Sequence, residues 1–261
     1  MLILLPPSET KRAGGAGVPW DASRLALPEL TPIRESVIEA LVALSDDPDA
    51  AARALKLGPK QRGEIEVNRA LRTSSTMPAI DRYTGVLFDA LDAASLDAPA
   101  RQWLGEHVLI HSAPFGPVGA LDPIPSYRLG AGIRLPGLAS QRQLWAGPVA
   151  AALDRYARGF VLDLRSEAYV ALGAAPAKRS AYVRVLTRAV HGQTRALNHF
   201  NKNAKGRLTR ALAESGADLS DAAQFMEWAS GAGFETDRDG DAIALIVPHA
   251  ENLLTAAPKD R

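Results

Sequence analysis

The chain has 261 residues, enough to bury a sizeable core in one large domain or two small ones. Its apolar fraction of 47% and charged fraction of 23% are those of an ordinary globular protein, and the lack of cysteine excludes a disulfide scaffold, a thiolate nucleophile and a cysteine-ligated metal site. The net charge is only +1, yet Ala168 to Ala211 carries nine Lys and Arg with no Asp or Glu, which leaves the remaining residues at −8.

The opening Met1 to Pro7 has no basic leader, and its apolar run stops at Pro6, too soon for a secretory signal. No apolar run approaches the ~18 residues of a membrane span, so a soluble, cytoplasmic protein is expected. Leu2 to Leu5 reads as a buried strand ended by Pro6-Pro7. Its polar exit, Ser8-Glu9-Thr10-Lys11, either lines a site or simply leaves the strand. Thr31-Pro32 caps and opens a helix bearing Ile33, Val37, Leu41 and Leu44. Asp47-Pro48 opens a second helix running to Gly58, and a third covers Arg62 to Leu71 with Glu64, Glu66 and Arg69 on a solvated surface. Asp81 to Gly85 starts another helical stretch, where Tyr83 and Thr84 can bond a ligand or can cap and pack. A short helix follows Asp97 and ends near Gly105, and His107 to Ser112 is a second buried strand.

Ala113 to Arg128 holds too many prolines for a helix or a central strand and reads as a long irregular loop of the functional kind. Tyr127 to Leu135 is able to strand-pair with Arg128 and Arg134 outward; each can hold a phosphate or carboxylate by a two-pronged contact, or make a structural ion pair. Leu144 to Tyr156 is a helix. Gly159 to Leu164 is a third buried strand, leaving through Arg165, Ser166, Glu167, Ala168 and Tyr169. Three apolar strands separated by helices predict an α/β fold (α+β remains open), taken as a single domain over residues 1–261. Its mixed central sheet is flanked by helices, with a cleft along one sheet edge.

Ala181 to Val190 alternates as a strand with one wet face, Tyr182, Arg184, Leu186 and Arg188 lying opposite Val183, Val185, Thr187 and Ala189. Asn198 to Leu212 is a helix whose arc outside Ala204, Leu208, Ala211 and Leu212 carries Lys202, Lys205, Arg207 and Arg210. Charge segregated in this way attracts polyanions, nucleic acid first. Ser220 caps a further helix with Phe225, Met226 and Trp228. Phe234 to Val247 forms a hairpin around Arg238-Asp239-Gly240, and the tail beyond Pro248 frays. No P-loop, GxGxxG, HExxH or GxSxG occurs. His107 and His111 fall in one strand rather than on one helical face, so no metal site and no cofactor are expected. Ser166, Glu167 and Tyr169 form a set able to do acid–base work.

Several segments in order then carry a resemblance: LLPPSETK at the start, YTG at Tyr83 to Gly85, HSAPFG at His111 to Gly116, LDPIPSYRLGAGIRL at Leu121 to Leu135, LDLRSEAY at Leu162 to Tyr169, and NKNAKGRLTR at Asn201 to Arg210. Together they resemble the YaaA family of bacterial peroxide stress proteins over nearly the whole chain. The resemblance implies a family-specific α/β fold with a positively charged cleft, binding of double-stranded DNA with a helix-hairpin-helix-like element, and a role in limiting hydrogen peroxide damage linked to intracellular iron. It also implies cleft residues at Thr10, Tyr83, Thr84, Gly85, Ser112, Phe115, Gly116, Tyr127, Arg128, Arg134, Ser166, Glu167, Tyr169, Lys202, Lys205 and Arg207. Many relatives have a lysine where this chain has Glu9. Lys11 lies two residues on, on the same side of an extended chain, and joins the candidates as one half of a lysine–glutamate pair. A competing expectation is an enzyme for a small anionic substrate such as a nucleotide, with Glu167 as base and Arg128 and Arg134 gripping the anion in a pocket that also contains Glu9.

Overall fold

The structure, a computed structural model, describes residues 1–187 and 194–247. In chain order the strands and α-helices are β1 (Leu2–Leu5), β2 (Gly17–Pro19), α1 (Thr31–Leu44), α2 (Pro48–Ala54), α3 (Glu64–Arg69), β3 (Ser75–Pro78), α4 (Ala79–Arg82), α5 (Val86–Leu91), α6 (Ala98–His107) and β4 (Val108–Ser112). Then come β5 (Gly116–Gly119), β6 (Pro123–Ile124), α7 (Gln141–Tyr156), β7 (Val161–Asp163), α8 (Glu167–Val170), β8 (Ser180–Thr187), α9 (Thr194–Ser215), α10 (Ala222–Gly231), β9 (Glu235–Asp239) and β10 (Ala242–Val247).

An apolar run without polar alternation must be covered on both faces, and β1, β4 and β7 are buried at every position. They sit side by side in a seven-stranded sheet of order β5-β4-β1-β7-β8-β10-β9. The five inner strands are parallel and the two outermost, β5 and β9, are antiparallel. This is the mixed α/β sheet flanked by helices that the strand pattern predicts. From β1 the chain goes on to β4 on one side, whereas from β7 it goes on to β8 on the other. Two adjacent parallel strands whose connections leave in opposite directions open a crevice at their carboxyl ends. A small sheet of order β2-β3-β6 lies apart.

The differences from the sequence reading have local causes. The Pro-rich loop contains β5, whose Pro117 is tolerated because β5 is an edge strand pairing only with β4. Tyr127 to Leu135 makes no strand, because Asn68 takes the place of a partner: its amide donates to the Arg128 carbonyl at 2.9 Å and its side-chain oxygen accepts from the Arg128 N–H at 2.7 Å. Thr31 is the first helical residue and no side chain caps α1, the N-cap being Leu30. Helix α2 starts as predicted, with the Asp47 carboxylate accepting from two backbone N–H groups, but it ends at Ala54 because Lys56 turns to a φ of 54°. The stretch after Asp81 is two short helices broken at Tyr83 to Gly85, where Gly85 has a φ of 93°. His107 closes α6 instead of opening a strand, and Asp221, not Ser220, caps α10 through the N–H groups of Ala223 and Gln224. The predicted strand extension to Val190, with Arg188, His191 nearby and the tail beyond Pro248, lies outside the described residues.

Three arginines with no exposed surface, Arg34, Arg82 and Arg165, tie loops to the core. Arg82 donates to the carbonyls of Arg12, Gly14, Ser75 and Ile124, pinning the segment after β1 against the small sheet. Arg165 forks onto Asp163 at 2.6 and 2.8 Å and also reaches the Gly173 carbonyl and the His111 Nδ1. Helix α9 packs across α5 through Gly206. An ideal Cβ there would come within 2.1 Å of the Leu87 carbonyl oxygen, so only glycine permits this approach. No helix among the described residues is long and apolar enough to cross a membrane.

Candidate functional site

The crevice at the β1/β7 carboxyl ends is a cleft of about 1070 Å³. Pro6 to Lys11, leaving β1, and Ser166 to Tyr169, beyond β7, form one wall. The loop Tyr127 to Ile133 forms another, and α9 closes it with Asn201, Lys202 and Lys205. Five cations line it, Lys11, Lys56, Arg128, Lys202 and Lys205, against two carboxylates, Glu9 and Glu167.

Lys11 is set deeply. Its Nζ donates to the carbonyls of Ser8 (3.1 Å) and Glu9 (3.2 Å) and lies 4.0 Å from the centre of the Tyr127 ring. Burial lowers its pKa to about 7; Glu64 and Glu9 oppose the shift, and Arg128 and Arg82 add to it. The pairing of Lys11 with the Glu9 carboxylate expected from their spacing does not form: Glu9 reaches Arg128 instead, at 3.3 Å. With the Glu9 side chain 81% exposed, that pair contributes little to stability. Lys205 is 5% exposed, 5.6 Å from the Tyr182 ring centre, and burial lowers its pKa to about 8 despite the attraction of Asp163.

Both lysines therefore enter the folded state against their preference for charge. A lysine with a depressed native pKa binds fewer protons folded than unfolded between the two values, so stability rises with pH there. We expect unfolding free energy from urea melts to climb between about pH 7 and the unfolded lysine value near 10.4. Lys11→Met is expected to flatten that climb; an unchanged pH profile in the variant would show that Lys11 is not the group responsible.

The remaining candidates sit at graded distances from the cleft. Tyr127 lines it, and its hydroxyl meets the Tyr83 hydroxyl at 2.8 Å just beneath. Ser112, Phe115 and Gly116 are buried under that pair: Ser112 Oγ accepts from the Phe115 N–H and donates to the Gly116 carbonyl, and Phe115 packs edge-on to Tyr127. Thr10 and Thr84 bond each other through backbone and hydroxyl, which holds Gly85 at the rim. Ser166, Glu167 and Tyr169 are on the wall, and burial raises the Tyr169 pKa. Arg134 donates to the Leu138 carbonyl at 3.1 Å outside the lining, and Arg207 is exposed outside it too. Arg210 clamps α9 to the carbonyls of Leu91 and Asp92. Arg188, His191 and the side chains of Arg195 and His199 lie outside the described residues.

Lys56, Tyr182 and Asn201 line the cleft although sequence reasoning did not single them out. For Tyr182 the signal was present: strand alternation puts it on the Arg184 face, and its register partner is Asp163 of β7.

An α/β sheet with a cation-rich crevice at its switch point is thus the class of protein in hand. The sequence model of the family described as "Peroxide stress protein YaaA" matches residues 1–239. Among curated relatives, a UPF0246 protein of Streptomyces coelicolor is 43% identical over 93% of this chain and 94% of its own length. A UPF0246 protein of Corynebacterium glutamicum is 42% identical over 95% and 100%, and one from Bordetella avium is 27% identical over 97% and 98%. The chain belongs to the YaaA family, and a role in peroxide stress goes with that membership.

Proposed function

We propose that the cleft is a basic groove that holds the phosphate backbone of double-stranded DNA, without strong sequence preference, in the peroxide stress response. One observation carries the reading. Lys202 and Lys205, from the acid-free segment, share a single concavity with Lys11 and Arg128, and its lining has five basic side chains against two carboxylates. Phosphate contacts made by such groups release counterions, so affinity depends on salt and hardly on sequence.

The test is anisotropy of a labelled duplex across a salt series. The logarithm of affinity is expected to fall by roughly 0.9 per logarithm of salt for each phosphate neutralised. Lys202→Ala, an exposed position, is expected to weaken binding to all sequences alike and reduce the slope by roughly one. Salt-independent binding, or a Lys202→Ala variant that binds as before, would end this reading.

The alternative, an enzyme acting on a small anion such as a nucleotide, is favoured by one feature: two amines held in desolvated positions in the cleft that Glu167 also lines. Of its proposed residues Arg128 and Glu167 line the cleft and Arg134 does not. Turnover of a nucleotide that also displaces duplex DNA would favour it.

A further inference from the structure

Lys11 is built differently from the other cations of the cleft. An ammonium meant to grip phosphate presents its N–H groups to the ligand. Lys11 instead spends two of them on the Ser8 and Glu9 carbonyls and makes no ion pair among the described residues. A neutral amine so held has both hydrogens directed at acceptors and its lone pair left over. The position is also fixed: Lys11 bridges to Tyr83 through the backbone, the Arg12 N–H bonds the Arg82 carbonyl, and the Tyr127 ring closes one side. Phosphate-gripping cations stand around the same space in Arg128, Lys202 and Lys205.

We infer that Lys11 is an amine nucleophile that condenses with an aldehyde presented next to phosphate, and that this aldehyde is the ring-opened sugar of an abasic site in DNA. The inference rests on the DNA reading above and names the substrate class of that site. A cleft of about 1070 Å³ has room for an extruded nucleotide, and a site already lacking its base is the least costly to extrude. The Nζ lone pair adds to the C1′ aldehyde, and the resulting carbinolamine loses water to give an imine. A base then takes a proton from C2′, the C2′–H electrons form the new C2′–C3′ double bond as the C3′–O bond breaks, and the 3′-phosphate leaves. Hydrolysis of the conjugated imine returns the lysine and leaves an unsaturated aldehyde on the upstream strand. No oxidant or reductant enters. Glu167, a carboxylate of the same lining with no ion pair among the described residues, is the candidate base.

The experiment uses the full chain with three otherwise identical duplexes: intact, carrying one natural abasic site, and carrying a tetrahydrofuran analogue that cannot open to an aldehyde. Borohydride is added to trap any imine, and adducts are read on denaturing gels and located by peptide mass spectrometry. Expected are a covalent adduct with the natural abasic duplex alone, located on Lys11, strand cleavage without borohydride, and loss of both to background in Lys11→Arg while Lys178→Ala, at an exposed lysine outside the cleft lining, still forms the adduct. Anisotropy on the tetrahydrofuran duplex serves as the fold and binding control for each variant. If that duplex binds but no adduct forms, or the adduct lies on another amine, the lysine inference is overturned and DNA binding stands. If no duplex binds, both fall together.

Discussion

Replacing Arg165 with alanine is expected to cost about 3–5 kcal/mol of folding stability. The guanidinium has no exposed surface and Asp163, its partner, has 3%. They meet through two bonds of 2.6 and 2.8 Å. Removing the cation strands a carboxylate in the core and also leaves the Gly173 carbonyl without that donor. Much of the loss comes from the abandoned charge, so Asp163→Asn in the same chain is expected to recover part of it. Urea denaturation of the single and double variants measures this. A single variant within about 1 kcal/mol of the parent, the usual ceiling for exposed pairs, would mean that water reaches Asp163 after all.

Gly206→Ala is expected to destabilise by about 1–3 kcal/mol and, on the proposed DNA reading, to weaken duplex binding at the same time. Alanine favours an isolated helix over glycine by about 1 kcal/mol, so the sign is decided by contact. The added methyl would stand 2.1 Å from the Leu87 carbonyl oxygen and 2.9 Å from the Ala90 Cβ. The first is backbone and cannot swing aside, so α9 must lift off α5. Lys205 is the preceding residue and Lys202 is one turn back, so the lift carries both away from the cleft. Gly147 in α7 has open space where a Cβ would go, and Gly147→Ala is expected to keep the propensity gain. Thermal melts and anisotropy on the two variants separate the effects. Equal stability changes at both sites would show that α9 accommodates the methyl.

The central sheet was legible in the sequence because Leu2–Leu5, Val108–Ser112 and Val161–Asp163 are apolar at nearly every position, and such runs have few places to go. Edge strand β5 was hidden by Pro117, which forbids an inner strand and permits an outer one. The strand read at Tyr127 to Leu135 does not form because the backbone of Arg128 pairs with a single side chain, Asn68, 60 residues away. At the site, charge segregation singled out Lys202 and Lys205, and the Pro-rich loop singled out Arg128. Their common location depends on Gly206 and on the β1/β7 switch point, neither of which leaves a local signature. The resemblance motifs mix cleft residues with their supports. Phe115 and Ser112 share a motif yet underpin the Tyr83–Tyr127 pair from inside the core.

Strand β8 changes neighbours partway along: residues Ser180 to Tyr182 hold β7, and Val183 to Thr187 hold β10. The terminal ribbon β9–β10 is therefore joined to the sheet through the far end of one strand, while the cleft wall beyond β7 relies on the near end. Ser180 to Thr187 works as a splice between two spans. Along the strand itself, the outer span meets the near end at Tyr182, the one residue of that end that lines the cleft.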